Sequence, residues 1–152
     1  MAPKSSQRQI AERVLALLRP SYHATYKAVD ENLRDFPVST PARGLLQLLS
    51  DGRPRTAPQI ARELRIPRQF ALQMVNEVLP LELVHQSQNP DHKRSHLVAI
   101  SQSGRSLIDT IRAQEWAIVR PLATRLSQDD LLATERVLTE LIGYFDALRG
   151  AE

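Results

Sequence analysis

Apolar residues recur at three- and four-residue spacing along most of this 152-residue chain, a pattern typical of amphipathic α-helices. The stripes predict helices over residues 6–34, 42–49, 58–64, 68–79, 102–126 and 128–148. Two other segments have strand character, residues 81–86 and 96–100. Pro20 lies inside the first helix and should kink or divide it, because proline lacks the N–H of an interior helical residue. The pattern predicts a mainly helical chain with one β-hairpin.

The two short helices in the middle of the chain have the spacing of a helix-turn-helix. Thr56 is a suitable N-cap for the first, and Pro67 ends it by disfavouring helical geometry at Ile66. The second helix has a buried stripe of Ala71, Met74, Val75 and Val78. Its outward face carries Arg68, Gln69, Leu72, Gln73 and Asn76. Arginine suits guanine, and glutamine or asparagine suits adenine, so this face can read base edges. For a lone helix, an ordinary solvated face is the favoured alternative.

The hairpin that follows the second helix favours base reading over an ordinary solvated face. Its loop, residues 87–95, contains the turn-forming pair Asn89-Pro90 and a cationic tip of His92, Lys93 and Arg94. A very short strand at residues 55–56 is expected to pair with the hairpin. A helix-turn-helix followed by a basic hairpin is a winged helix, whose second helix enters a major groove while the wing reaches adjacent backbone or minor groove. The predicted fold class is therefore mainly α with a small β-hairpin wing.

The run IPRQFALQMVNEVLPLELVHQSQNPDHKRSHLVAIS resembles the recognition helix and wing of the MarR family of bacterial transcriptional regulators. The family's wing signature, following strand and glycine-containing helix start correspond here to residues 92–94, residues 97–101 and Gly104. Two positions depart from the pattern. The family's wing aspartate falls at His92, so either Asp91 replaces it as the partner of Arg94 or His92 contacts phosphate itself. The glycine before the first wing strand is Glu82, so a differently shaped turn is expected, with Pro80 as a possible break.

The resemblance implies one protomer over residues 1–152, with a winged DNA-binding lobe at 37–101 and a helical dimerisation lobe at 6–34 and 102–148. It also implies a small aromatic or lipophilic ligand, often an acid, bound between the lobes. Tyr22, His23 and Tyr26 are the candidate lining of such a cavity. Ordinary aromatic packing is the favoured alternative for these three residues, because buried aromatics mostly serve cores.

The charge is unevenly distributed along the chain. The net charge is +3 overall, but residues 43–105 carry +4 and residues 106–152 carry −3. The predicted winged lobe is thus the basic part, which fits docking of one end onto phosphate. The terminal helices carry more apolar surface than a small winged lobe needs, which favours a homodimer.

Several function classes find no support in the sequence. There is no cysteine, and no apolar run near the roughly 18 residues that span a bilayer. The polar first residues lack the apolar core of a signal peptide, so a cytoplasmic location without membrane contact is expected. No HExxH, GxSxG or glycine-rich phosphate loop is present, so neither an enzyme nor a cofactor is expected. Asp129 and Asp130 suit a helix start, and His92 and His96 lack the acidic or cysteine partners of a metal site.

The leading hypothesis is a homodimeric, sequence-specific DNA-binding repressor that recognises a near-palindromic operator and is released by a small ligand. Arg68, Gln69, Leu72 and Gln73 would contact the major groove, and His92, Lys93 and Arg94 the wing's target. One alternative is a winged-helix protein–protein interaction module that does not read DNA. Another is a degraded regulator that only dimerises.

Overall fold

The computed structural model describes residues 4–92 and 94–150, and it is mainly helical with one small sheet. The elements follow in the order α1 (Lys4–Asn32), a 3₁₀ turn (Leu33–Asp35), α2 (Thr40–Leu49), β1 (Arg55–Thr56), α3 (Ala57–Leu64), α4 (Arg68–Val78), β2 (Val84–Gln88), β3 (His96–Ile100), α5 (Gln102–Ala123) and α6 (Gln128–Gly150). The chain divides into two compact units between Gln114 and Glu115, within α5. The predicted fold class is confirmed.

The first unit contains the buried core, which is aliphatic. Five of its elements contribute side chains that are almost fully buried: Leu45, Leu46 and Leu49 from α2, Ile60 from α3, Val75 and Val78 from α4, Val98 from β3, and Ile108 and Ile111 from α5. Aliphatic side chains at helical spacing bury one stripe of each helix and leave the other face in water. The core therefore fixes which face of α4 is presented outward.

The three strands form an antiparallel sheet in the order β1-β3-β2. Arg55 pairs with Val98, and Val84 pairs with Ile100. The expected pairing of residues 55–56 with the hairpin is thus confirmed. Because β1 leads directly into α3, this pairing attaches the hairpin to the start of the helix-turn-helix.

Thr56 caps α3 as predicted, and Ser39 caps α2. Ser39 Oγ accepts a hydrogen bond from the Ala42 N–H at 3.3 Å and donates one to Glu77 Oε2 at 2.8 Å. The Ser39 N–H also donates to Glu77 Oε1 at 2.7 Å, so a carboxylate on α4 fixes the start of α2. Thr56 donates from its backbone N–H and its hydroxyl to Gln59 Oε1, at 2.7 and 2.9 Å. These bonds satisfy donors that a bare helix start would leave unpaired.

Helix α1 is continuous through Pro20, so of the two outcomes expected there, a kink or a division, the division does not occur. A proline removes only one hydrogen bond from a helix of 29 residues, and the exposed helix tolerates the loss. Helix α5 ends at Ala123 rather than Leu126, two residues after Pro121. The following turn closes with a bond from the Arg125 N–H to the Leu122 carbonyl at 3.0 Å.

The first wing strand begins at Val84 rather than Leu81, because a tight turn occupies the preceding residues. The Glu82 N–H donates to the Leu79 carbonyl at 3.0 Å, and the Leu83 N–H donates to the Val78 carbonyl at 3.3 Å. This pair of bonds is a Schellman motif, whose C′ residue adopts the left-handed conformation that glycine prefers. Glu82 adopts it, with φ of 56°. The turn therefore keeps a left-handed residue where a glycine was expected, and the prediction of a different turn shape is not supported.

Gly104 lies where α5 crosses this turn. Ser101 Oγ accepts from the Gly104 N–H at 3.0 Å, so Ser101 caps α5. The hydroxyls of Ser101 and Ser103 both donate to the Glu82 carbonyl at 2.7 Å. A Cβ atom at Gly104 would overlap the carbonyl oxygen of Leu83. Only glycine allows α5 to lie this close to the start of β2.

The second unit contains the last part of α5 and helix α6. Ser127 Oγ accepts from the Asp130 N–H at 3.1 Å and donates to Asp130 Oδ2 at 2.6 Å, as expected for a helix start. Large apolar side chains of this unit are exposed in the single chain, among them Trp116, Ile118, Leu122, Leu132, Ile142 and Phe145. Helix α1 also exposes apolar residues, including Ile10, Leu15 and Leu17.

Replacing Gly104 by alanine should destabilise the protein by about 3 kcal/mol, because the added methyl group displaces the Leu83 backbone from the core. Urea unfolding followed by circular dichroism measures the change. The matched control is Gly143→Ala in α6, where an added Cβ atom meets nothing within 4 Å. A loss below about 1 kcal/mol for Gly104→Ala would show that the contact relaxes easily.

Replacing Glu82 by glycine should raise the free energy of unfolding by about 1 kcal/mol, because a left-handed conformation is unfavourable for a residue with a Cβ atom. The same unfolding experiment tests this change. Destabilisation would mean that the Glu82 side chain makes a contribution larger than the backbone strain.

Candidate nucleic-acid interface

Helix α4 is oriented by its inner face. Ala71, Met74, Val75 and Val78 are buried, as predicted. The structure places Arg68, Gln69, Leu72 and Gln73 on the exposed side, and no hydrogen bond or ion pair occupies their side chains within residues 4–92 and 94–150. A polar helix face with free donors and acceptors is available to a partner outside the chain.

A tight turn sets the start of α4 relative to α3. Arg65 adopts a left-handed conformation with φ of 55°. The Ile66 N–H donates to the Ala61 carbonyl at 3.0 Å, and the Arg65 N–H donates to the Arg62 carbonyl at 3.2 Å. These bonds satisfy the last carbonyls of α3 before Pro67 opens α4.

Asn89 organises the tip of the wing. Its Nδ2 donates to Ser95 Oγ at 2.9 Å, and its Oδ1 accepts from the Asp91 N–H at 3.0 Å. The Ser95 N–H donates to the His92 carbonyl at 2.9 Å. The wing loop is therefore closed by an amide and a hydroxyl, whose contribution the sequence analysis missed. The Asn-Pro turn signal was the only indication of it.

No carboxylate supports Arg94 from within the described wing. Asp91 forms no ion pair with Arg94 among the described residues, so the alternative in which Asp91 replaces the family's aspartate has no support in this structure. Arg94 and His92 are both exposed, and neither side chain has a hydrogen-bond partner within residues 4–92 and 94–150. Lys93, the third residue of the predicted wing contact, lies outside the described residues.

A groove of about 560 Å³ lies between the helix-turn-helix and the wing. Arg62 of α3, Arg68 of α4, and His92 and Arg94 of the wing all line it, together with Asp91. Arg68, Leu72 and Arg94 also line an adjoining groove of about 110 Å³. The structure thus brings Arg68, Leu72, His92 and Arg94 together. Gln69 and Gln73 line neither groove and lie on the open face of α4.

Arg62 belongs to the same groove but was missed in the sequence. Arg62 lies on the first helix of the helix-turn-helix, whereas the DNA contacts were predicted only on the second helix and the wing. Three guanidinium groups against one carboxylate make the groove lining cationic. Such a lining can attract a phosphate backbone, because Arg offers several donors in a fixed geometry.

A buried arginine, Arg55, connects the end of α2, strand β1 and helix α3. Arg55 of β1 is 7% exposed, and its Nη1 and Nη2 donate to Asp51 Oδ1 and Oδ2 at 2.8 and 2.7 Å. Its Nε donates to Glu63 Oε2 of α3 at 2.9 Å. Nη1 also contacts the Arg53 carbonyl at 3.0 Å. The ends of α2, β1 and α3 are held by one side chain.

These bonds shift the titration of both partners. The hydrogen bonds from the Arg55 side chain and from the Arg53 N–H hold the pKa of Asp51 well below its ordinary value of 3.8. The carboxylates of Asp51 and Glu63 raise the pKa of Arg55 above its already high value. Asp51 and Arg55 are therefore both ionised at neutral pH.

A separate apolar cavity of about 660 Å³ lies between α1, α2 and the inner side of α4. Tyr22, His23 and Tyr26 all line it from α1, and Phe70 and Met74 line it from α4. The Tyr22 ring lies 5.6 Å from the His23 ring and 5.9 Å from the Tyr26 ring. Tyr22 is 63% exposed and Tyr26 39% exposed, so in the single chain neither is part of the core.

The described residues 4–92 and 94–150 contain no group of three metal-ligating side chains that could hold a metal ion. Within the same residues, no helix combines the length and apolar character needed to cross a membrane.

No protein-family model matches the chain. Three curated mycobacterial proteins, all described as uncharacterised, match it; those of Mycobacterium bovis and Mycobacterium tuberculosis are 32% identical over 98 residues. The alignment covers 64% of this chain and 68% of each relative.

Solved structures are similar over most of the chain. A structure described as MarR family transcription regulator SP03579 is 26% identical, with a TM-score of 0.81, and the match covers 97% of this chain and 98% of the other. The Staphylococcus aureus MepR–DNA complex gives a TM-score of 0.74 at 17% identity, over 85% of this chain and 96% of the other. Streptococcus pneumoniae FabT in complex with DNA gives 0.72 at 15% identity, over 91% and 99%. The last two similarities concern the fold alone.

Replacing Asp51 by asparagine should remove a pH-dependent part of the stability. The pKa of Asp51 is depressed in the folded state, so its contribution is present above the ordinary pKa of 3.8 and is lost as pH falls from about 4 towards 2. The native protein should therefore exceed Asp51→Asn in free energy of unfolding at pH 7, and the gap should shrink on acidification. Urea titrations across this pH range measure the gap. If the difference in free energy of unfolding stayed constant with pH, the charge of Asp51 would not be what stabilises the turn after α2.

Proposed function

The chain belongs to the MarR family of winged-helix transcription regulators, and we propose that it is a homodimeric repressor that reads a near-palindromic operator in double-stranded DNA. One observation carries this proposal: α4 exposes Arg68, Gln69 and Gln73 without internal partners, beside an arginine-lined groove that ends at the wing. The MepR and FabT structures, which have this fold, are complexes with DNA.

In this proposal the two surfaces have different roles. Arg68, Gln69, Leu72 and Gln73 contact base edges in the major groove, where a bidentate pair discriminates by roughly 1–3 kcal/mol. His92 and Arg94, with Lys93, contact the adjacent backbone or minor groove, and Arg62 joins them from α3. Phosphate contacts set the register of the protein, while base contacts set the sequence preference.

The exposed apolar side chains of α1, of the end of α5 and of α6 support dimerisation. Exposed apolar patches of this kind mark protein–protein surfaces. A two-fold dimer would present two α4 helices about one DNA turn apart, roughly 34–36 Å, and would require a near-palindromic site.

The cavity beside Tyr22, His23 and Tyr26 is the proposed ligand site. Its walls come from α1 and from the inner face of α4, so an occupant touches the helix whose outer face reads DNA. A ligand that binds better when α4 is displaced from its DNA-reading position lowers operator affinity by shifting the population towards that state. This arrangement supports the proposal that a small aromatic or lipophilic molecule releases the repressor from DNA.

Selection of bound duplexes from fragments of the source genome tests the proposal. The native protein should enrich a near-palindrome, and Arg68→Ala/Gln73→Ala should lose that enrichment because two base-reading side chains are gone. Absence of enrichment by the native protein at both low and moderate salt would favour a protein–protein interaction module instead.

Arg94→Ala should act differently from the double variant. It should weaken binding to all duplexes and reduce the slope of log affinity against log salt by about 0.9, because one phosphate contact is lost. Arg8→Ala is a charge-matched control, since Arg8 lies on α1 and pairs with Glu12 at 2.7 Å. Fluorescence anisotropy at several salt concentrations measures both variants. An unchanged slope for Arg94→Ala would mean that the wing does not contact phosphate.

The native protein should sediment at twice its chain mass of 17.2 kDa. Phe145→Glu places a charge on the exposed apolar side of α6 and should shift the equilibrium towards monomer, with loss of operator affinity. Sedimentation velocity measures the mass. A monomeric native protein that still selects a near-palindrome would contradict the dimer.

A further inference from the structure

We infer that Gly44 determines which molecules enter the cavity between α1, α2 and α4, and that the occupant is an uncharged, flat, apolar molecule carrying a hydrogen-bonding group. This inference rests on the proposed ligand-binding function and specifies the ligand's chemistry. The cavity volume of about 660 Å³ lies within the range of small-molecule sites.

Neither the backbone conformation nor the packing of α2 requires a glycine at position 44. Gly44 lies inside helix α2, where glycine is less favourable than alanine because it loses more backbone entropy. Its φ is not positive, so the backbone conformation does not require glycine. A Cβ atom built on Gly44 meets nothing within 4 Å, so close packing does not require it either. The residue lines the cavity, and the missing side chain leaves that part of the cavity open to an occupant.

The lining contains no lysine or arginine. A carboxylate also borders it, because Thr40 of the cavity wall donates its hydroxyl to Asp30 Oδ1 at 2.9 Å. A bound carboxylate would therefore lose part of its hydration without gaining a lysine or arginine partner, which is unfavourable in an apolar site. The family resemblance pointed towards lipophilic acids, but these residues favour an uncharged ligand.

The α1 wall supplies the remaining recognition groups. The Tyr22 and Tyr26 rings are tilted by 42° to each other, and planar molecules pack well against such aromatic faces. The hydroxyls of both tyrosines and the His23 ring nitrogens have no hydrogen-bond partner within the described chain. They can pair with one polar group of an otherwise apolar molecule.

Calorimetric titration of the DNA-free protein with 2-naphthamide and 2-naphthoate tests the inference. The two probes share one ring system and differ in charge. The native protein should bind the amide about tenfold more tightly than the acid, because the lining offers the anion no lysine or arginine while the Asp30 carboxylate lies next to Thr40 of the wall. Gly44→Ala should weaken amide binding by tenfold or more, since one methyl group then occupies ligand space. Because no DNA is present, failure of operator recognition would not affect these results.

Thermal unfolding distinguishes loss of ligand space from damage to the fold. Gly44→Ala should raise Tm by about 2–4 °C, because alanine favours the helix. Gly143→Ala makes the same substitution in α6 outside the cavity lining and should retain the native affinity for the amide. Equal or tighter binding of the acid, unchanged amide binding by Gly44→Ala, a lower Tm for Gly44→Ala, or no binding of either probe would each overturn the inference.

Discussion

The arrangement of the winged lobe depends on the ion pairs of Arg55. This side chain is almost fully buried, yet it reaches Asp51 in the turn after α2 and Glu63 on α3. A buried charge is tolerated only when it is paired and hydrogen-bonded, so the two carboxylates must stay where the guanidinium can reach them. Because Arg55 also pairs with Val98 in the sheet, the wing and the helix-turn-helix share one fixed point. The position of the wing relative to α3, and with it the shape of the groove between them, depends on Arg55.

Helix α4 serves two environments with its two faces. Phe70 and Met74 face the cavity, while Gln69 and Gln73 lie on the open side. A helix is a rigid body over three turns, so a displacement of its inner face moves the outer face by a similar amount. The bonds of Ser39 to Glu77 tie α4 to the start of α2, which is also part of the cavity wall. In the proposed function, an occupant of the cavity would therefore contact α4 directly and would also contact the start of α2, which is bonded to α4.

Glu82 and Gly104 show how a turn can keep its geometry when its residues change. The Schellman bonds and the two serine hydroxyls on the Glu82 carbonyl hold a left-handed backbone that glycine would adopt at lower cost. The close approach at Gly104 tolerates no such change, because a side chain there would meet backbone rather than solvent. Conformational strain can be offset by neighbouring hydrogen bonds, whereas overlap of atoms cannot.

The sequence by itself determined the local structure. Periodicity predicted the buried stripe of α4, side-chain chemistry predicted the cap at Thr56, and two strand-like segments around the Asn89-Pro90 turn predicted the hairpin, because each depends on residues close in the chain. Tertiary structure decided what distant residues do together. Arg62 joins Arg68 and Arg94 only once α3 and the wing are folded against each other. The Arg55 network, the glycine-like role of Glu82 and the opening beside Gly44 likewise depend on contacts across elements, which spacing along the chain does not encode.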